Sequence, residues 1–150
     1  MVKRIVAICL FLLFFSLPVL AADGLKSIVS ENPATATMDR LEKAVTAAGF
    51  KVFARVDHAA GAKTVDMQLA PTELLIFGNP KGGTVLMQQQ TTVGIDLPLK
   101  YLVWEADGKV MIGWNDPQWM AERHGIDPQH PVIQKINGAL QKFAAEAAKP

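Results

Sequence analysis

Cysteine is almost absent. Cys9, the one cysteine in 150 residues, sits inside an apolar leader, so the rest of the chain has no disulfide and no thiol nucleophile. The fold must therefore be held by its core, and a domain of this length buries roughly two-thirds of its unfolded surface. Histidine is scarce as well. His58, His124 and His130 are the three present, and none has the tight spacing of a zinc site, so neither a metal nor another cofactor is expected. Charged residues make up 19%, with 15 basic against 14 acidic, and no basic stripe marks a nucleic-acid footprint. A Gly-x-Ser-x-Gly elbow is missing, which removes the commonest serine-hydrolase signature.

Long apolar runs are also lacking, apart from residues 5–17. Lys3 and Arg4 precede that run, and Pro18-Val19-Leu20-Ala21-Ala22 follows it. A membrane span needs about 20 apolar residues. A basic start, a shorter apolar core and small residues at its end instead read as a secretory signal peptide over 1–21, cleaved after Ala21. Cleavage removes Lys3 and Arg4 and no acid, taking the formal net charge from +1 to −1. Residues 22–150 are then expected as a single periplasmic or secreted domain with no membrane attachment.

Within that domain, residues 25–30 read as a strand stopped by Asn32-Pro33. Met38, Leu41, Val45 and Ala48 recur at helical steps and predict a helix over 34–48, with Asp39 in its first turns and Gly49 ending it. Phe50, Val52, Ala54 and Val56 alternate as a second strand. Strand, helix and strand together predict a right-handed crossover that makes the two strands parallel. One helical turn over 58–63 comes next. The apolar run 73–77 reads as a buried strand, and Gly78-Asn79-Pro80-Lys81-Gly82-Gly83 turns the chain. Asp107-Gly108 between 99–105 and 109–114 marks a hairpin. Asp116 caps a short helix over 117–124, and Pro131 opens a last helix, about 131–147, whose Ala-rich tail is expected to fray. The order β-α-β-β-β-β-α defines an α+β, two-layer sandwich with an antiparallel-rich sheet and helices on one face.

Several separate blocks carry a family resemblance. Pro71 to Pro80, Gly83-Thr84, Leu86-Met87-Gln88, Gly94-Ile95-Asp96-Leu97-Pro98-Leu99, Val103-Trp104-Glu105, Asn115-Asp116-Pro117 and Glu122-Arg123-His124-Gly125 resemble, in order, the signature of domain-of-unknown-function family 302. The resemblance covers about residues 25–125. It implies a compact α+β fold likened to one repeat of the TATA-binding-protein topology. It implies no activity, because the family is defined without one.

Chemistry is sparse. A P-loop places its lysine after the glycines, whereas Lys81 precedes Gly82-Gly83, so triphosphate binding is not expected. With strands two to five running up, down, up and down, Asp57, His58, Glu73 and Glu105 share one sheet edge. Asn79, Lys81, Gly82, Gly83, Asp96, Asn115 and Asp116 share the other. The second edge combines glycine amides, a cation, acids and side-chain amides, and it ranks first for a small anionic or zwitterionic ligand; Asp57, His58 and Glu73 rank second. Structural roles compete for the same residues: Asp116 as a cap, Asp96 in a turn, and His124 as a solvated partner of a helix end. The missing nucleophile and metal spacing favour a non-enzymatic binding or accessory protein. The alternative is a small exported enzyme using Asp, His or Lys side chains without a metal.

The hairpin also predicts a homodimer. Tyr101, Val103, Val110, Ile112 and Trp114 share one face, and Leu102, Trp104 and Met111 share the other. Both faces are apolar, yet a sheet with one wet face alternates apolar and polar residues. Either a second copy covers the extra face or the last helix crosses over to it.

Overall fold

A computed structural model describes residues 23–150; the signal peptide read at 1–21 lies outside the described residues, apart from which the elements run as follows. Strands β1 (Leu25–Ser30), β2 (Lys51–Asp57), β3 (Thr72–Gly78), β4 (Leu99–Ala106) and β5 (Lys109–Asn115) form one sheet. Helices are α1 (Ala34–Ala47), α2 (His58–Lys63), α3 (Pro80–Gln89), α4 (Pro117–Arg123) and α5 (Pro131–Ala148), with a 3-10 segment at Thr91–Ile95. The strand order is β1-β5-β4-β3-β2, and every neighbouring pair is antiparallel. The expected α+β sandwich is thus present. The crossover through α1 carries the chain from one edge of the sheet to the other. Consequently β1 and β2 point the same way but have three strands between them.

At the β4–β5 turn both Asp107 (φ 51°) and Gly108 (φ 70°) lie in the left-handed region, as a two-residue hairpin of the primed type requires. The hairpin fixes its register, with Val103 opposite Ile112 and Trp104 opposite Met111. That places Leu75, Phe77, Tyr101, Val103, Ile112 and Trp114 on one face, where Met38, Leu41 and Val45 of α1 and Leu140 and Phe143 of α5 close the core. The Tyr101 hydroxyl donates to the Leu140 carbonyl at 2.6 Å, and burial pushes that hydroxyl far above its ordinary pKa. A smaller core of Leu86, Val93, Met120, Ala121, Ile126 and Ile133 joins α3, the 3-10 segment, α4 and α5.

Two expectations are corrected. Gly82-Gly83 do not form a loop: they lie in α3, with Asn79 as its cap and Pro80 at its first turn. A proline suited to that turn and the anchoring of Leu86 in the second core outweigh two poor helix formers. The tail of α5 is docked rather than frayed. Ala144, Ala147 and Ala148 are buried, and the Asn32 amide donates to the carbonyls of Ala147 (3.1 Å) and Lys149 (2.5 Å). Asp39, in the second turn of α1, pairs with Arg55 at 2.6 Å. Gly49 (φ 79°) does end that helix as expected.

Both α1 and α5 cover the same face, so α5 does not cross to the second one. There, cross-strand rows run Val29–Met111–Trp104–Thr72 and Leu102–Leu74–Val56. A Cβ built on Gly113 would meet the Trp104 ring at 2.7 Å, so the indole lies across β5 at the one residue type that admits it.

Candidate functional site

A cavity of about 790 Å³ opens where α3, α5, the start of β2 and the end of β3 meet. The local sequence explains its shape. Antiparallel pairing of β2 and β3 sets Lys51 against Gly78, which brings Phe50 and Phe53 beside the start of α3. A Cβ on Gly78 would lie 3.4 Å from the Phe53 ring. From the other side, Val132, Lys135, Ile136, Ala139, Lys142 and Phe143 form one stripe of α5 along the wall. The lining is mainly apolar. It includes the cations Lys81, Lys135 and Lys142 and no acidic residue. Lys142 has an exposed partner, Glu146, at 3.8 Å.

The first-ranked sequence residues divide between two places. Asn79, Lys81, Gly82 and Gly83 line the cavity. Their backbone is less available than a loop would be: Asn79 Oδ1 accepts from the Lys81 amide at 3.0 Å, and Gly83 N–H donates to the Asn79 carbonyl at 3.1 Å. Asp96, Asn115 and Asp116 lie outside that lining. Asp96 and Asn115 border a cleft of about 10 Å³ with Lys100. The Asp116 side chain accepts from the Gln118 amide at 3.0 Å and pairs with Lys26 at 3.0 Å. Lys100 Nζ donates to the carbonyls of Pro98 (2.8 Å) and Asp96 (3.1 Å), and burial lowers its pKa.

Asp96 is the centre of a separate cluster. Its carboxylate receives Arg123 Nη1 at 3.0 Å and His124 Nε2 at 2.6 Å, while His124 Nδ1 lies 2.9 Å from the Thr92 hydroxyl. The Nε2–H donates to the carboxylate, and Nδ1 shares the second hydrogen bond with the Thr92 hydroxyl. The His124 and Asp96 side chains are 7% and 9% exposed, so His124 is not the solvated residue its place near a helix end suggested. The cluster ties the 3-10 segment to the end of α4.

At the opposite edge, Asp57 caps α2 by accepting from the Ala60 amide at 2.8 Å, and His58 begins that helix, exposed. Glu73 takes both Nε and Nη2 of Arg55, whose Nη1 also reaches Asp39 and Glu42. These acids hold Arg55 charged and bind α1 to the β2–β3 edge. Among the described residues no group of three or more His, Cys, Asp or Glu is arranged to hold a metal ion.

Lys135, Lys142 and the aromatic wall of Phe50, Phe53 and Phe143 were not singled out from sequence. Lys135 and Lys142 are seven residues apart and flank the apolar stripe of α5, a spacing readable beforehand; which loop that stripe would face was not readable.

A five-stranded antiparallel sheet with two helices on one face and a cavity at one end defines a small α+β domain. The chain belongs to the family described as Domain of unknown function DUF302, which matches residues 26–143. A solved structure titled as an uncharacterized conserved DUF302 protein from Bacillus stearothermophilus has the same fold: TM-score 0.68 at 20% identity, over 85% of this chain and 97% of that one. Among curated proteins, Fluoride-specific ion channel FluC 1 of Brucella suis biovar 1 (strain 1330) is 44% identical over 128 residues, covering 82% of this chain and 50% of that protein. Fluoride-specific ion channel FluC 2 of Brucella melitensis biotype 1 is likewise 44% identical, over 82% of this chain and 47% of that protein. The chain spans about half the length of the curated relatives it matches.

Proposed function

We propose that this chain is an exported, non-enzymatic binding module that acts as a homodimer and takes a small anionic or zwitterionic ligand at the edge holding Asn79 to Gly83. The observation carrying this reading is the cavity of about 790 Å³ at that edge, within the range of ligand sites, with lysines and no acid in its lining. The curated relatives bear the name of an ion channel. Among the described residues here, no helix is long and apolar enough to cross a membrane. An accessory role for the domain shared with those relatives is part of this proposal.

A small exported enzyme is the second reading, and the Thr92–His124–Asp96 chain favours it, since a hydroxyl, an imidazole and a carboxylate in line are the parts of an activated nucleophile. Neither Thr92 nor His124 lines the cavity, however, and Arg123 already neutralises Asp96. A clamp between two segments accounts for the same contacts.

The dimer reading is supported by the uncovered sheet face. Val29 and Val56 on it are 49% and 37% exposed. Residues 64–71 are exposed throughout and carry Val65, Met67 and Leu69 at alternate positions, as an arm seated on a second copy would. Five strands of this length cover roughly 24 by 20 Å. Together with the arm, this approaches the roughly 800 Å² per partner of a stable contact. By register Lys51, Lys100 and Lys109 belong to this face; the Lys100 ammonium is turned back onto carbonyls and the other two sit at strand ends, which leaves an uncharged centre suited to an isologous contact.

The test of ligand binding is a thermal-shift library screen of wild type beside Lys81→Ala and Asp96→Ala. A ligand at 100 times its Kd stabilises the fold by about 2.7 kcal/mol. A hit weakened by Lys81→Ala but not by Asp96→Ala supports the site; equal stabilisation of all three proteins removes it.

A further inference from the structure

Building on that ligand-binding edge, we propose that the cavity takes a single-chain amphipathic anion, with its apolar chain against α5 and the aromatic wall and its carboxylate among the lysines. The lining separates the ligand classes. A small hydrated anion such as phosphate would leave Phe50, Val132, Ile136 and Phe143 unfilled. It would also find the Lys81 and Gly83 amides already engaged with Asn79. A zwitterion would bring a cation to a wall without an acid, and to three lysines that repel it. A neutral apolar molecule would leave those lysines without a role.

The α5 stripe has the complementary pattern. Lys135 and Lys142 are two helical turns apart, about 10 Å along the axis, with Ile136 and Ala139 between them. A chain lying along the groove therefore meets apolar wall over most of its length, and its single carboxylate meets a cation whichever way the chain runs. The spacing of about 10 Å between the two lysines suits an extended chain on the order of ten carbons, and the cavity has room for it. Lys142 keeps its function despite Glu146, because that pair is 3.8 Å apart with both side chains more than half exposed, where ion pairs are weak.

The test is isothermal titration of the protein with octanoate and decanoate, with acetate, phosphate and decyltrimethylammonium alongside. Each burial of two further methylenes should tighten Kd about 15-fold. The doubly substituted Lys135→Ala/Lys142→Ala protein should bind decanoate at least tenfold more weakly at an unchanged Tm. Ile136→Trp should fill the groove and abolish binding. If Ile136→Trp does not fold, the lysine variants still decide. Phosphate or acetate bound as tightly as decanoate would overturn this inference while leaving the ligand edge standing. Equal binding of decyltrimethylammonium would overturn the role of the lysines. Association with phosphatidylglycerol vesicles without decanoate binding would overturn the inference in favour of a bilayer surface. If neither these anions nor a zwitterion of the thermal-shift library binds there, the ligand edge itself falls.

Discussion

Gly82 and Gly83 lie within a helix, where alanine is favoured by about 0.8–1 kcal/mol per residue. Packing does not require them. A Cβ on Gly82 has no atom within 4 Å, and one on Gly83 would meet Leu97 and Met87 at 3.6 and 3.9 Å, ordinary contact distances. Neither has a positive φ. Both line the cavity, and on the proposed ligand reading their cost in stability keeps its wall open. The double variant Gly82→Ala/Gly83→Ala should therefore stabilise the domain by about 1.5 kcal/mol, allowing for their place near the helix start, and raise Tm by about 6 °C. Decanoate affinity should fall several-fold. Gly138→Ala supplies the control, because Gly138 is also helical, has nothing within 4 Å of its built Cβ and does not line the cavity. It should gain about 1 kcal/mol without altering affinity. Calorimetric melting and titration read both quantities. A double variant that melts lower would show that the glycines are structural. One that melts higher and binds unchanged would refute their link to the ligand.

Asp96→Ala breaks charged hydrogen bonds from Arg123 and His124 and should cost about 2–3 kcal/mol in urea unfolding, with ligand affinity kept. Arg55→Met leaves Asp39, Glu42 and Glu73 facing one another and should cost about 2 kcal/mol, a loss that shrinks in high salt. For Lys100, burial lowers the folded pKa below 10.5, so the unfolded chain binds more protons in the window just below that value. The penalty is complete below the folded pKa and relieved as pH rises through the window; Lys100→Met should abolish this rise in stability, as read by unfolding across that range. Trp104→Asp on the uncovered face should convert a sedimenting dimer into a monomer, whereas a wild-type monomer at micromolar concentration would remove the dimer.

Much of the fold was legible because local signals agreed. The Asp107-Gly108 turn fixed a hairpin, and the hairpin fixed which side chains share a face. Asp116, Gly49 and Pro131 marked helix ends through their own backbone chemistry. What was hidden depended on distant partners. The run from Pro80 to Gln89 becomes a helix because Leu86 finds Met120 and Ile133, and no local property of Gly82-Gly83 announces that. The Ala-rich end of α5 resembles a fraying tail until Asn32, 115 residues away from Ala147, caps it. The site was half visible for the same reason. Strand directions grouped Asn79 to Gly83 with Asp96, Asn115 and Asp116 at one edge, but α4 and the 3-10 segment engage the acids. The opposing wall comes from α5, whose placement across the sheet is a tertiary fact.

The most direct measurement is a methyl and amide NMR titration of the isotope-labelled protein with decanoate. Shifts should concentrate at Asn79–Gly83, Val85, Met87, Val132, Ile136 and Ala139, all in the cavity lining. Shifts confined to Asp96, Asn115 and Asp116, or to the Trp104 face of the sheet, would contradict binding there.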